Sequence, residues 1–347
     1  MLQLHHQQEF QASAIDPALA ALNFYSTTDN WFIRQWLNWK PKQKWQHCPF
    51  DSGWFCYTID PRTGELRNWG PFKPDSPIVD TSKGKPRKYE HPAGYETLAI
   101  LLQPDEATWT RIAQRYQVPL TPLSLRLRDR NPHPHFWEWV WTYNLPIIIC
   151  VGAKKAAALL SAGYIAIALP GVWNGRKKRN GDRPEYLIPD LQYFATPGRE
   201  IYFCFDQDDK LKTRIQVGHA LIRTGKLFEQ AGCTVKVIRL PGPEKGVDDF
   251  LVLRGRTAFE QLYLDAVTLE FYAQSYRSWT SGHRLTYPIN LDLNCRYLMD
   301  GLQQAWAERV KQSIDRLSEE ITQTFPLPLA PSHPIDAADR PASLGLS

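Results

Sequence analysis

Between residues 145 and 250 the chain alternates short apolar runs with segments of helical period. Leu145–Val151 and Ile201–Phe205 are runs of strand length that stop abruptly at small or acidic residues, and Tyr164–Leu169 and Thr234–Leu240 read as further strands. An apolar run of this length, bounded by turn signals, reads as a strand buried on both faces of a parallel sheet. The intervening segments predict helices. Gly152–Ala162 is rich in alanine and is stopped by Gly163, the usual residue just past a helix C-terminus. Over residues 213–231, Val217, Ala220, Leu221, Thr224, Leu227, Phe228 and Ala231 fall on one face, and Gly232 ends the run. Val247–Leu253 opens a further helix that continues through Ala258–Tyr272, whereas residues 170–199 read as a long inserted loop. The pattern predicts an α/β fold, a parallel sheet flanked by helices.

Outside this core the pattern loosens. Residues 28–75 carry Trp31, Trp36, Trp39, Trp45, Trp54 and Trp69 among Pro, Gly and Asn turn signals. They read as short strands and turns of a smaller α+β region. Asp105–Gln117, preceded by Pro104, and His135–Asn144 have helical spacing. Near the other end, residues 284–298 read as extended, and Leu302, Trp306, Val310, Ile314, Leu317 and Ile321 mark an amphipathic helix. From Pro326 the chain is rich in Pro, Ala and Ser and reads as a disordered tail. The division expected is an N-terminal extension (1–27), an aromatic-rich α+β region (28–130), the α/β core (131–254), a helical C-terminal region (255–325) and the tail (326–347).

Composition changes this picture little. A net charge of +5 over 347 residues permits a nucleic-acid partner without demanding one. Six scattered cysteines with no CxxC pair suit small core residues in a reducing cytoplasm better than a disulfide scaffold. His47, Cys48 and Cys56 do not have the spacing of a zinc ribbon or finger. No apolar stretch reaches the ~20 residues of a membrane span, and the opening residues MLQLHHQQEFQASAID lack the pattern of a signal peptide.

The candidate chemistry lies at the predicted strand ends. In FCFDQDD, Asp206 and Asp208 stand one residue apart, a spacing that can aim two carboxylates at one Mg²⁺. A solvated turn capping the next helix explains the same residues equally well. Asp248 and Asp249 in KGVDDFL follow another strand, and its end falls on the same edge of a parallel sheet; at least one of them suits a helix cap. Lys154 and Lys155 in VGAKK open a helix directly after a strand, where backbone N–H groups favour phosphate. Two basic loops suit a polynucleotide backbone: Lys83, Lys85, Arg87 and Lys88 in the first, Arg176, Lys177, Lys178 and Arg179 in the second. Charge runs of this kind are also ordinary solvated loops. The pattern GxxxxGK[ST] is absent, so no P-loop motor is present. The tryptophans suit core packing better than base stacking.

The order of GAKKAAALLSAGYIAIALPGVWNG, LIPDL, FDQD, GCTVKVIRLPG and KGVDDF, with GKPRKYEHPAG upstream, resembles a Toprim-like domain of unknown function. That family occurs in phage- and plasmid-type replication proteins, including cyanobacterial plasmid proteins related to primases and primase-helicases. The resemblance implies a Toprim-like sheet, Mg²⁺-dependent nucleotidyl transfer with Asp206 and Asp208 as catalytic residues, metal ligation extended to Asp248 and Asp249, and single-stranded DNA as partner. It matches Gly152 to the glycine of the first motif, but Val151 stands where the family pattern has glutamate. Valine neither binds metal nor moves a proton, and losing a catalytic acid or base typically costs ~100- to 10,000-fold in rate. A weakened or silent enzyme is therefore expected, or a DNA-binding or assembly module working beside a separate helicase or other replication protein; a Toprim nuclease is disfavoured by the same valine. Residues 284–298 look like the segment that leads into a helicase in longer members, so the chain reads as a truncated or degenerate copy.

Overall fold

The computed structural model describes residues 1–40, 48–80, 84–120, 135–177, 185–208 and 210–280. The predicted extended segment at 284–298, the helix at 302–321 and the tail lie outside the described residues. Strands are numbered in chain order: β1 Phe24–Thr27, β2 Gly53–Cys56, β3 Thr58–Ile59, β4 Leu66–Arg67, β5 Phe72–Pro74, β6 Val79–Asp80, β7 Lys85–Pro86, β8 Ile147–Val151, β9 Ala166–Leu169, β10 Arg176–Lys177, β11 Tyr186–Leu187, β12 Glu200–Phe203, β13 Thr234–Val237 and β14 Val267–Thr268.

The architecture is α/β, as the apolar runs predict. The central sheet has the order β14-β13-β12-β8-β9, with β13, β12, β8 and β9 parallel and β14 antiparallel at one edge. Ile147, Ile148, Ile149 and Cys150 of β8 and all of β9 are buried, because helices cover both faces. The helix Ala153–Ser161 carries the chain from β8 to β9, and Leu211–Gln230 carries it from β12 to β13. From β8 the chain moves outward to β9 on one side, whereas β12 and β13 lie on the other. The C-terminal ends of β8 and β12 therefore flank the point where the strand order reverses, where open parallel sheets form a crevice.

Three expectations are corrected. Residues 170–199 are not one loop: β10 and β11 pair antiparallel and a helix follows at Pro189–Phe194, started by proline at its first turn. The helix from Val247 does not continue to Tyr272. It breaks at Gly255, whose φ of +79° is not helical, and the helical stretch beyond ends at Leu264; the β-branched pair Val267–Thr268 joins the sheet edge, and a separate helix runs Leu269–Thr280. Residues 1–27 are not an appendage. Helices Leu4–Gln11 and Pro17–Asn23 lead into β1, which pairs along its full length with β2, and β2 in turn pairs with β5.

The aromatic-rich region builds its own core. Phe10 and Phe24 stack at 4.4 Å, and Trp54 sits edge-on to Phe24 at 5.3 Å. A second cluster gathers Ile33, Trp36, Leu37, Cys48, Phe50, Phe55 and Phe72. Full burial of side chains of this size stabilises by about 1.5–3 kcal/mol each, which favours packing over base stacking for Trp36, Trp54 and Trp69, all buried. Trp31 stays exposed.

A strap through Glu90 lies along β5, with Phe72 and Glu90 exchanging both backbone hydrogen bonds at 2.8 Å. The next residue, His91, packs by Trp69 at 5.9 Å and its Nε2 is buried without a partner. Burial pushes this imidazole down to about 4. The unfolded chain takes up the proton in the ordinary range near 6.5, so between these values it holds more protons than the folded chain. Stability contributed by neutral His91 is thus present above about 6.5 and lost as the pH falls towards 4. Urea titrations across this window are expected to show a loss of about 2 kcal/mol that His91→Gln removes.

Candidate functional site

Gly152 makes the turn at the mouth of β8. Its φ of +96° is one that side-chain-bearing residues avoid, and a Cβ there would meet open space. The following helix begins at Ala153, so Lys154 and Lys155 stand in its first turn. Across the switch point, β12 runs into Cys204, Phe205 and Asp206. The segment after β13 returns beside it: Gln207 donates its backbone N–H to the Lys245 carbonyl at 3.0 Å and its side-chain amide to the Glu244 carbonyl at 2.8 Å. This pairing brings the start of helix Val247–Leu264, and with it Asp248, to Asp206.

Lys155 is the centre of the arrangement. Its Nζ lies 3.3 Å from Asp206 Oδ2 and 4.0 Å from Asp248 Oδ1. Gly246 allows the approach, since a Cβ there would stand 2.5 Å from both Lys155 Cε and Asp248 Oδ1. Burial acts to strip the proton from Lys155, but Asp206 and Asp248 more than offset it and hold the ammonium well above its ordinary range. Burial pushes the Asp206 carboxyl up; Lys155 pulls it back in part, and Asp248 adds to the rise. Asp206 Oδ1 and Asp248 Oδ1 are both buried and accept no hydrogen bond. Beneath them the thiols of Cys150 and Cys204 are buried and pushed up by that burial, which makes them inert packing groups.

The other candidate acids are occupied. Asp208 accepts the Lys210 N–H at 2.8 Å and faces Lys245 Nζ at 3.5 Å. The Lys210 N–H, followed by Lys245, holds its carboxyl below the usual range. Asp249 is exposed and reaches back to the Gly246 N–H at 3.4 Å, as an acid at the third helical position does at a helix start. Only Asp206 and Asp248 of the four converge on one point.

The predicted basic residues separate in the same way. Lys155 faces the two aspartates. Lys154 binds Glu9 Oε1 at 3.0 Å, and Lys73 takes Glu9 Oε2 at 2.7 Å. Arg176 is buried against Glu185, which Arg223 shares, and Lys177 pairs with Glu96 at 3.1 Å. Arg87 pairs with Glu90 at 3.0 Å, and Lys88 is exposed. Lys85 is described only as part of β7; Lys83, Lys178 and Arg179 lie outside the described residues.

Sequence reasoning missed several neighbours. Glu244 is 2 % exposed, with Oε1 held by Arg254 at 2.7 Å and Oε2 buried without a partner. Exposed Lys210, Lys212 and Lys245 ring the loop after β12. Tyr89 stands near enough for Glu9, Asp248 and Asp206 to raise its phenol, already pushed up by burial, and for Lys155 to lower it. The one sequence signal for the lysines was their clustering around DDKLK, overshadowed by the longer basic runs.

Residues 136–258 match the family described as a domain of unknown function (DUF3854), a span that includes Lys155, Asp206 and Asp248. An uncharacterized protein of Picosynechococcus sp. is 41% identical over 253 residues, covering 71% of this chain and 24% of that protein. The chain thus spans about a quarter of the length of the curated relative it matches. Among solved structures, the Aquifex aeolicus primase (zinc-binding and RNA polymerase domains) aligns at 14% identity over 76% of this chain and 56% of that one, with a TM-score of 0.46. The RNA polymerase domain of Mycobacterium tuberculosis primase DnaG aligns at 12% identity over 87% and 90%, with a TM-score of 0.47.

Proposed function

We propose that this chain is a primase-related replication protein, of the kind carried by plasmids and other mobile elements, whose α/β core binds single-stranded DNA and Mg²⁺ at the switch point. The observation that carries the reading is the convergence of Asp206 and Asp248 on Lys155, each carboxylate keeping a buried Oδ1 that accepts no hydrogen bond. Buried polar atoms are nearly always satisfied, so two carboxylates beside one lysine, each with a buried oxygen that accepts no hydrogen bond, fit a hard divalent cation. Asp206 and Asp248 would hold it, while Asp208 and Asp249 are each taken by a backbone N–H. Bound there, Mg²⁺ would neutralise charge on a phosphoryl oxygen. Lys155 balances the two carboxylates and keeps their negative charge in place, and Lys210, Lys212 and Lys245 supply the positive rim a phosphate backbone needs.

Val151 ends β8 directly before Gly152, half-buried and apolar, at the position where the family pattern has glutamate. This favours a second reading, in which the core binds DNA beside other replication proteins and performs no chemistry. Primer synthesis on single-stranded DNA with Mg²⁺, measured for the native chain and for Val151→Glu, separates the two. The catalytic reading expects synthesis to rise by ~100-fold or more in Val151→Glu and to vanish when Asp206→Asn is added. Salt-dependent DNA binding with no synthesis in either form supports the second reading. Absence of both binding and synthesis overturns the proposal.

A further inference from the structure

A second group of metal-ligating side chains lies away from the switch point, on the first helix. His5 and His6 are consecutive residues of helix Leu4–Gln11, and Asp75 follows β5. One donor atom from each lies within 4.8 Å of the others. His6 Nε2 is 2.8 Å and His5 Nε2 3.6 Å from the same oxygen, Asp75 Oδ1. We propose that His5, His6 and Asp75 form a three-ligand site for a borderline divalent transition metal of the Zn²⁺ type, leaving one position open to water.

Two imidazoles and one carboxylate are the donor set such ions take, at about 2.0–2.2 Å. Donors at that distance around a tetrahedral ion stand ~3.4 Å apart, so His5 and Asp75 need little movement and His6 and Asp75 open slightly. The groups behind the ligands are in place as well. Ser52 donates to Asp75 Oδ2 at 2.6 Å, which fixes the carboxylate and leaves Oδ1 forward. His6 is 1% exposed, and its Nδ1 meets Ser26 Oγ at 2.7 Å. Ser26 Oγ also accepts the Gln3 N–H at 2.8 Å. A hydroxyl both donates and accepts. It can donate to Nδ1 while His6 Nε2–H bonds Asp75, or accept from Nδ1–H once Nε2 takes up a metal. Partners of this kind set the tautomer of metal-bound histidines.

A hydrogen-bonded tie between helix and sheet would need only His6. His5 adds nothing to that tie: its side chain is 57% exposed, yet its ring turns back onto His6, with centroids 3.9 Å apart, and aims at the shared oxygen. One turn further along the same helix, Glu9 holds Lys154, so an ion here also fixes the helix that reaches the switch-point site.

The test is Zn²⁺ titration of the full chain against a chromophoric chelator, with melting temperature followed in parallel and Co²⁺ absorption used to report four-coordination. One equivalent is expected to bind and raise the melting temperature. His5→Ala, an exposed substitution that leaves the fold intact, should abolish both effects without changing the metal-free melting temperature. Ser26→Ala should weaken binding by ~10- to 100-fold through lost control of the His6 tautomer. No binding, or binding unchanged in His5→Ala and Asp75→Asn, overturns the proposal. This outcome is independent of primer synthesis.

Discussion

Lys155→Met is expected to destabilise the α/β core by about 2–4 kcal/mol at neutral pH, the cost of leaving two mostly buried carboxylates without their cation. The side chains of Lys155, Asp206 and Asp248 are 19%, 27% and 12% exposed, so residual water keeps the loss below that of a fully buried group. Two features separate this from ordinary packing loss. Adding Asp206→Asn and Asp248→Asn to Lys155→Met should recover most of the stability, because the uncompensated charge goes with them. The loss in the single variant should also shrink as the pH falls, since protonating Asp206, whose carboxyl is already raised by burial, removes the repulsion. Urea titrations of the three proteins at neutral and acidic pH provide the measurement. Equal stability of Lys155→Met and the native chain would show that the aspartates are solvated and that the cluster imposes no electrostatic demand.

A loss of about 3–5 kcal/mol is expected from Asp190→Ala, for a related reason at a different place. Asp190 is 1% exposed at the start of helix Pro189–Phe194. It accepts from both terminal nitrogens of Arg67, at 2.8 and 2.9 Å, and from the Ala99 N–H at 3.0 Å, with Arg62 at 3.4 Å. Arg67 belongs to β4, so one carboxylate joins the aromatic-rich region to the α/β core. Bidentate arginine–carboxylate pairs hold geometry as well as charge. Its removal strands a guanidinium that is only 15% exposed, with Asp60 as the remaining acid at 2.8 Å. Arg67→Met alone should cost less than Asp190→Ala, and in the Asp190→Ala background should cost little more, a coupling that a double-mutant cycle in urea reads directly.

The central sheet was legible because a strand buried on both faces has to be apolar throughout. Ile147–Val151 and the run from Ile201 to Phe203 announce themselves in this way, and the helix Leu211–Gln230 does so through its period. Two-residue strands have no period to read, which is why β10, β11 and β14 were invisible. The candidate site was legible only as a set of strand ends. Nothing in VGAKK shows that Lys154 turns to Glu9 while its neighbour turns to Asp206 and Asp248; adjacent helical positions diverge by about 100°, and the strand order decides what each meets. Asp208 and Asp249 illustrate the converse. Their chemistry matches that of Asp206 and Asp248, yet the local backbone claims both.

One margin of the central sheet is short and the other is met by a single bridge. β14 runs along β13 at one side, and at the other Ile100 and Ala168 of β9 exchange backbone hydrogen bonds at 2.8 and 3.0 Å. An open strand margin is a template on which a second extended chain can assemble. Here the rows that would serve as that template are shortened or occupied, so continuous sheet formation between two copies is disfavoured. On the proposed function, a bound strand would then meet the side chains of the loop rim at the ends of β8 and β12 instead of a free sheet margin.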